Sequence, residues 1–271
     1  MDTPLRLDGP TVEDVQYLTG SRTRLLLLDR LSAGPVDRRD LRDDLDISQP
    51  TTSRTLAAFE DRGWVTHEGR EFRTTPVGSF LAEVLGTFLE HVETAGRLAD
   101  MVQWFPEDGF GFDLDRLATA EIVTTDDADV GAPIDQLARE LQDASHVVAL
   151  SHGITRSLLQ RQWGPADRQP PAGTWVFDSD VLELLRDDPE MRAAARGAIG
   201  SGRMTYYCYD GDVPYNVVVT DQTVNLCLTG GDGAPNAEIQ TADESVLAWA
   251  EETIAAYRQE ATPITADAFD T

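Results

Sequence analysis

The sequence predicts an α/β chain in two parts: short helices closed by a hairpin, then, beyond a long connecting helix, a larger C-terminal domain with a mixed sheet. Three observations carry this. Apolar residues recur at helical spacing from Val12 to Phe59, two short strand-like runs follow between Trp64 and Thr74, and strand-like and helix-like segments alternate from Ala120 onward. At 271 residues the chain suits two domains, each able to bury a core. The expected division is 1–75, a connecting helix over 76–105, and 106–271.

Val12, Val15 and Leu18, then Leu25 to Leu28 and Leu31, give one or two packed helices that end at Ala33-Gly34-Pro35. A second segment runs from Asp37, placed as N-cap, to Leu45, with Leu41 and Leu45 on one face. A tight turn at Asp46-Ile47 follows. Ser48 is a good N-cap and Pro50 is tolerated in a first turn, so a third helix starts there and stops at Gly63. On it Thr52, Leu56 and Phe59 form a packing face, while Arg54, Ala57 and Ala58 lie opposite.

That open face combines small residues with Gln49, Thr51, Ser53 and Arg54, groups that reach base edges and phosphates, as a recognition helix requires. Trp64 to His67 and Glu71 to Thr74 read as two strands around a turn at Glu68-Gly69-Arg70, which places Arg70 and Arg73 to meet phosphates or a minor groove. Helix, turn, helix and wing thus follow in the order of a winged helix-turn-helix. The expected DNA-binding set is Arg38, Arg39, Ser48, Gln49, Thr51, Ser53, Arg54, Arg70 and Arg73. The run DLDISQPTTSRTLAAFEDRGWV resembles winged helix-turn-helix regulators of the ArsR and MarR type, whose S-Q-P-x-x-S-R-x-L stretch opens the recognition helix.

Charge bears on this reading. The 48 acidic residues face 22 basic ones, a net charge of -26, and every basic residue is an arginine. Such a surface self-repels, and molar salt screens it within roughly 3 Å. The composition resembles that of proteins from salt-accumulating halophilic archaea. Acidity opposes DNA binding, yet residues 1–75 carry net -3 and residues 76–271 net -23, so the N-terminal part is nearly neutral. Asp37, Asp40, Asp43, Asp44 and Asp46 still crowd the second helix, which puts ordinary salt-release behaviour in doubt.

No apolar run approaches the roughly 20 residues that span a bilayer, and MDTPLRLDGP lacks the regions of a signal peptide, so a cytoplasmic protein without a membrane partner is expected. Cys208 and Cys227, each in a strand-like run, read as buried reduced thiols, and four His without a Cys/His cluster leave no zinc site or other cofactor expected.

From Pro76 to Trp104 an apolar stripe at spacings near 3.5 predicts one long amphipathic helix, terminated by Phe105-Pro106. Pairing with a symmetry mate would make a homodimer and set two recognition helices on successive major-groove faces; packing on its own C-terminal domain is the alternative.

Beyond it, strands are expected at Ala120–Thr124, His146–Leu150, Thr174–Phe177, Met204–Tyr209, Tyr215–Val219, Val224–Leu228 and Glu238–Gln240. Helices are expected at Ile134–Gln142, Ile154–Trp163, Ser179–Arg186, Pro189–Ile199 and Asp243–Gln259. The sheet should be parallel in its first half and antiparallel near the end. Ser151, His152 and Asp178 fall at strand carboxyl ends, where such sheets bind ligands, and Tyr207, Tyr209 and Tyr215 offer apolar walls with polar tips. These six form the expected site of a small-molecule effector. Each also has a plain structural role: cap, loop histidine, sheet facing.

The stretches GRMTYYCYDGDVPYNVVVTDQTVNLCLTG and ESVLAWAEETIAAYRQEATPI resemble the regulatory domain of a haloarchaeal regulator family related to the middle domain of a methanogenesis regulator. The resemblance implies a transcriptional regulator, sometimes with a phospholipase-D-like sensor fold, acting on double-stranded DNA. The main rival is an enzyme, and it fares poorly: phospholipase-D chemistry needs a lysine that the chain lacks, adjacent Ser151 and His152 cannot easily face each other, and no G-x-S-x-G elbow or glycine-rich phosphate loop is present. A winged-helix scaffold whose C-terminal domain docks proteins is the other reading.

Overall fold

A computed structural model describes residues 9–125, 129, 131–156, 158, 171–230 and 235–270. Two compact units, Met1–Val92 and Glu93–Thr271, make up the chain.

The first unit contains α1 (Pro10–Thr19), α2 (Arg22–Ser32), β1 (Val36–Asp37), α3 (Arg38–Leu45), α4 (Gln49–Asp61), β2 (Val65–Glu68) and β3 (Glu71–Thr74). The strands form a small antiparallel sheet in the order β1-β3-β2. Local chemistry sets the boundaries. The Asp37 carboxylate accepts the Arg39 N–H to cap α3, Asp46 turns the chain in the left-handed region at φ 50°, and Ser48 Oγ accepts the Thr51 N–H to start α4. Leu27, Leu28, Leu31, Leu41, Leu56 and Phe59 pack with Trp64 and Phe72 into one core. The two residues of β1 were not expected to be extended; only pairing with Glu71 and Phe72 makes them a strand.

The helix α5 (Pro76–Leu98) starts against the wing. Gly78 permits this, since a Cβ there would lie 1.8 Å from the Trp64 carbonyl oxygen. The expected helix to Trp104 ends sooner: Ala99–Trp104 form a 3-10 segment. Three residues per turn align Leu98, Met101 and Trp104, and all three pack into the core of the second unit.

In the second unit β4 (Glu121–Thr124), α6 (Ala132–Asp143), β5 (His146–Ser151), β6 (Ala172–Phe177), α7 (Ser179–Asp187) and α8 (Pro189–Gly200) are followed by β7 (Met204–Cys208), β8 (Val217–Thr220), β9 (Thr223–Thr229), β10 (Pro235–Thr241), α9 (Glu244–Glu260) and β11 (Thr262–Ile264). An eight-stranded sheet results, in the order β11-β7-β6-β5-β8-β9-β10-β4. β5, β6 and β7 run parallel and the other pairings are antiparallel, which is the mixed sheet expected. The α7–α8 crossover returns the chain so that β7 can lie parallel to β6, and a two-residue turn joins β8 to β9.

Alternation along each strand builds two cores. Val147, Trp175, Phe177, Tyr206 and Val218 pack with α6, α7 and α8, whereas Val176, Val217, Leu226 and Ile239 pack under Val246, Ala250 and Ile254 of α9. Tyr215 lies before β8 and Tyr209 just after β7, outside the strands expected to hold them. β11, with Pro263 in it, was not expected; a proline is tolerated because this strand lies at the sheet's edge. The helix expected over Ile154–Trp163 reaches beyond the described residues.

Candidate functional site

In the first unit the open face of α4 follows from its buried one. Thr52, Thr55, Leu56 and Phe59 are buried, which leaves Gln49, Arg54 and Ala57 exposed, with Thr51 and Ser53 half-buried. Arg54 and Arg70 are both exposed and form no ion pair among the described residues. Between α3, the start of α4 and the wing lies a concavity of about 890 Å³ whose walls include Arg38, Arg39, Arg42 and Arg70, with Asp37 and Asp40 among them and Gln49 and His67 beside them.

The aspartates of α3 hold part of this charge in place. Asp43 pairs with Arg42 at 2.9 Å and with Arg39 at 3.6 Å, and Asp44 pairs with Arg30 at 3.0 Å. Arg38 sits over the Phe72 ring at 5.0 Å from its centroid, and Arg73 reaches Glu68 at 3.8 Å. Exposed pairs of this kind are weak, so a phosphate can replace the carboxylate at little cost.

In the second unit Ser151 and His152 converge on Asn216. The Asn216 Oδ1 accepts from Ser151 Oγ at 2.7 Å and from the His152 N–H at 3.0 Å. His152 Nδ1 faces the Val213 carbonyl at 2.7 Å, which can only accept, so the ring carries its proton there. Nε2 is then free to accept from Asn216 Nδ2 at 2.9 Å and Thr229 Oγ1 at 3.0 Å. This network ties the end of β5 to β8 and β9.

The tyrosines lie on the α9 side. Tyr209 meets Tyr257 edge-on with centroids 4.8 Å apart, and Tyr215 packs with Phe110 and Trp249. Burial, then the neighbouring Tyr209, raises the Tyr257 phenol above its usual value. Tyr207 packs against the same core. Asp178 caps α7 by accepting the Val181 N–H at 2.9 Å. Nearby, burial and then Asp178 raise the Cys208 thiol. Both cysteines are free thiols.

Residues 12–97 match the HVO_A0261 N-terminal domain, and residues 130–260 match the middle domain of the methanogenesis regulatory protein FilR1. Each match spans less than half of the chain, and together they take in most of it. Among solved structures, it is similar to TrmBL2, an archaeal chromatin protein, at 14% identity over 93% of this chain and 98% of that one, with a TM-score of 0.42. Quinone-bound YodB from B. subtilis is 22% identical over 32% of this chain and 98% of its own, with a TM-score of 0.30. Nuc from Salmonella typhimurium, a phospholipase D family member, is 12% identical over 54% of this chain and 97% of its own, with a TM-score of 0.41. No curated protein matches the chain.

Within the HVO_A0261-type domain the expected residues gather on two neighbouring surfaces. Gln49, Arg38, Arg39 and Arg70 line the concavity, and Arg54 projects from the exposed face of α4. Sequence reasoning missed Arg42 and His67, which share those walls; only the packing of α3 beside the wing reveals them. Within the FilR1-type domain Ser151 and His152 come together with Tyr215 nearby, while Tyr207 and Tyr209 are taken up by packing and Asp178 by capping. Asn216, the hub of the network, was missed because an isolated Asn carries no periodic signal. No group of three His, Cys, Asp or Glu is placed to hold a metal ion among the described residues. No described helix is long and apolar enough to cross a membrane.

Proposed function

We propose that the protein is a sequence-specific DNA-binding transcription regulator that acts as a homodimer and carries a C-terminal unit that senses a small effector. The observation that carries the reading is the exposed face of α4, with Gln49 and Arg54 open, beside the arginine-lined concavity. Gln49 and Arg54 are suited to base edges, and Arg38, Arg39, Arg70 and Arg73 to phosphates. Ser48, Thr51 and Ser53 complete the helix's polar end. The salt response follows from the ion pairs: Arg39 must leave Asp43 and Arg73 must leave Glu68, and cation uptake by the freed carboxylates offsets part of the counterion release from DNA. Affinity should therefore fall with salt less steeply than the number of arginines implies.

The dimer rests on α5. Val77, Phe80, Val84, Phe88 and Val92 form one stripe at spacings of three and four, and all are exposed, Phe80 at 67% and Phe88 at 52%. An apolar stripe of this kind on a single chain suits an isologous pairing with a second copy. The effector reading draws on Ser151, His152, Asp178, Tyr207, Tyr209 and Tyr215 at the carboxyl ends of the parallel strands and on the α9 side. A catalytic role is disfavoured, because both ring nitrogens of His152, the base a hydrolase would use, are engaged within the fold.

The test is genome-wide chromatin immunoprecipitation in the protein's own cytoplasm, paired with binding to the recovered sites at molar salt. Gln49→Ala and Arg54→Ala should each cost about 1–3 kcal/mol of operator binding. Discrete peaks that vanish in the double variant support the reading, and a well-expressed protein without peaks rejects it.

A further inference from the structure

Thr174 of β6, Val148 of β5 and Val219 of β8 lie side by side in register across three neighbouring strands, on the sheet face that α9 covers. Val147 and Ala149, the neighbours of Val148 along β5, are buried, yet Val148 is half-exposed although β5 lies in the middle of the sheet. The reason is a cleft of about 190 Å³ over this row. Glu251, Ile254, Ala255 and Arg258 of α9 form its other wall, and His146 and Asp221 line it near the start of β5.

Spacing along α9 distributes the charge. Its four lining residues share one helix face at steps of three and four, so a carboxylate and a guanidinium stand two turns, about 10.5 Å, apart along the axis with Ile254 between them. That exceeds the i, i+4 spacing at which ion pairs form on a helix. Glu251 and Arg258 are both exposed, and neither makes an ion pair among the described residues. Asp221, by contrast, is spent: its carboxylate accepts from the Ser145 N–H at 3.2 Å, the Ser145 hydroxyl at 2.7 Å and the His146 N–H at 3.1 Å.

We propose that the cleft binds a small ω-amino acid, its carboxylate on Arg258, its ammonium on Glu251 and its methylenes over Val148, Val219 and Ile254. A simple anion would face Glu251 and the net charge of -26, and a simple cation would face Arg258. An uncharged apolar molecule would cover the valines and leave both charges unused. An α-amino acid carries its two charges on one carbon, with no apolar spacer to lie over the floor between them. The cleft is also smaller than the roughly 300–1,000 Å³ of sites for drug-sized ligands, which keeps the connecting chain short. Ser151 and His152 lie at the other end of β5, so binding here does not depend on the sensor reading.

The probes are 6-aminohexanoate and its two single-charge counterparts, hexanoate and hexylamine, titrated at molar salt into the full chain carrying 13C-labelled isoleucine methyl groups. The Ile254 signals, identified by their loss in Ile254→Val, should shift and saturate with 6-aminohexanoate, and each counterpart should bind roughly threefold more weakly or worse. Arg258→Gln should weaken 6-aminohexanoate roughly threefold and leave hexylamine no weaker than before. Glu251→Gln should weaken it by a similar factor and leave hexanoate no weaker. Both substitutions fall at exposed positions, which leaves the packing of α9 in place. No saturable shift at Ile254, equal affinity for the three probes, or a loss in either variant that is the same for every probe overturns the proposal.

Discussion

Glu238→Gln should stabilise the second unit, and the gain should grow with pH. Glu238 lies on β10, beside the edge strand β4 and opposite Cys227 in the β9–β10 register, and is 1% exposed with no well-formed hydrogen bond to either carboxyl oxygen among the described residues. Burial pushes its pKa up to about 8; Glu140 and Glu121 add to the rise, and the Leu137 backbone and Arg139 oppose it. Cys227, its neighbour, has its own thiol raised well above the ordinary value by burial and by Glu238, so it stays protonated across the range that matters. For an acid whose folded pKa is raised, the unfolded chain releases the proton first, and stability falls as pH climbs from the ordinary glutamate value towards 8. At 1.36 kcal/mol per pKa unit the penalty is about 1 kcal/mol at pH 5 and about 3 kcal/mol at pH 7. Glutamine keeps the shape and the neutral polar burial without the titration. Denaturant unfolding of wild type and variant at pH 5, 6, 7 and 8 in molar salt, followed by signals of the second unit, reads the difference. Histidines and surface carboxylates cancel between the two proteins. A stability gap that does not widen with pH refutes the reasoning.

Gly78→Ala should destabilise the first unit by about 1–3 kcal/mol, the reverse of the gain that alanine usually brings to a helix, because its Cβ would meet the Trp64 carbonyl; thermal unfolding reads the sign. Asn216→Ala leaves the His152 backbone N–H without its acceptor, while the Ser151 hydroxyl keeps the Gly153 carbonyl, and should cost about 1–3 kcal/mol in denaturant unfolding. Phe80→Asp with Phe88→Asp should convert a dimer to a monomer in sedimentation velocity at molar salt and leave the unfolding transition of the monomer in place, since both rings are exposed in the single chain. A variant that stays dimeric moves the interface elsewhere.

Sequence alone was enough for whatever depends on neighbours along the chain. The caps at Asp37 and Ser48, the stop at Gly63, the buried face of Thr52, Leu56 and Phe59, and the wing hairpin each follow from residues within a few positions of one another. The mixed sheet was legible for the same reason: β-branched runs alternate with amphipathic segments, and chain reversals set which strands can run parallel.

What the sequence left open depends on residues far apart. Nothing near Val36 or Thr262 announces a strand, because both β1 and β11 exist only through their partners. The network in which Ser151 and His152 meet Asn216, and Thr229 meets His152, joins the ends of β5 and β9 to the residue before β8, and the three tyrosines lie on the α9 side of the sheet while Ser151 reaches the α6 side. The buried indole of Trp175 and the buried carboxyl of Glu238, neither with a well-formed hydrogen bond among the described residues, were invisible for a related reason. A side chain's need for a partner is written in its chemistry, but whether the need is met is decided by what the rest of the chain brings within 3 Å or so.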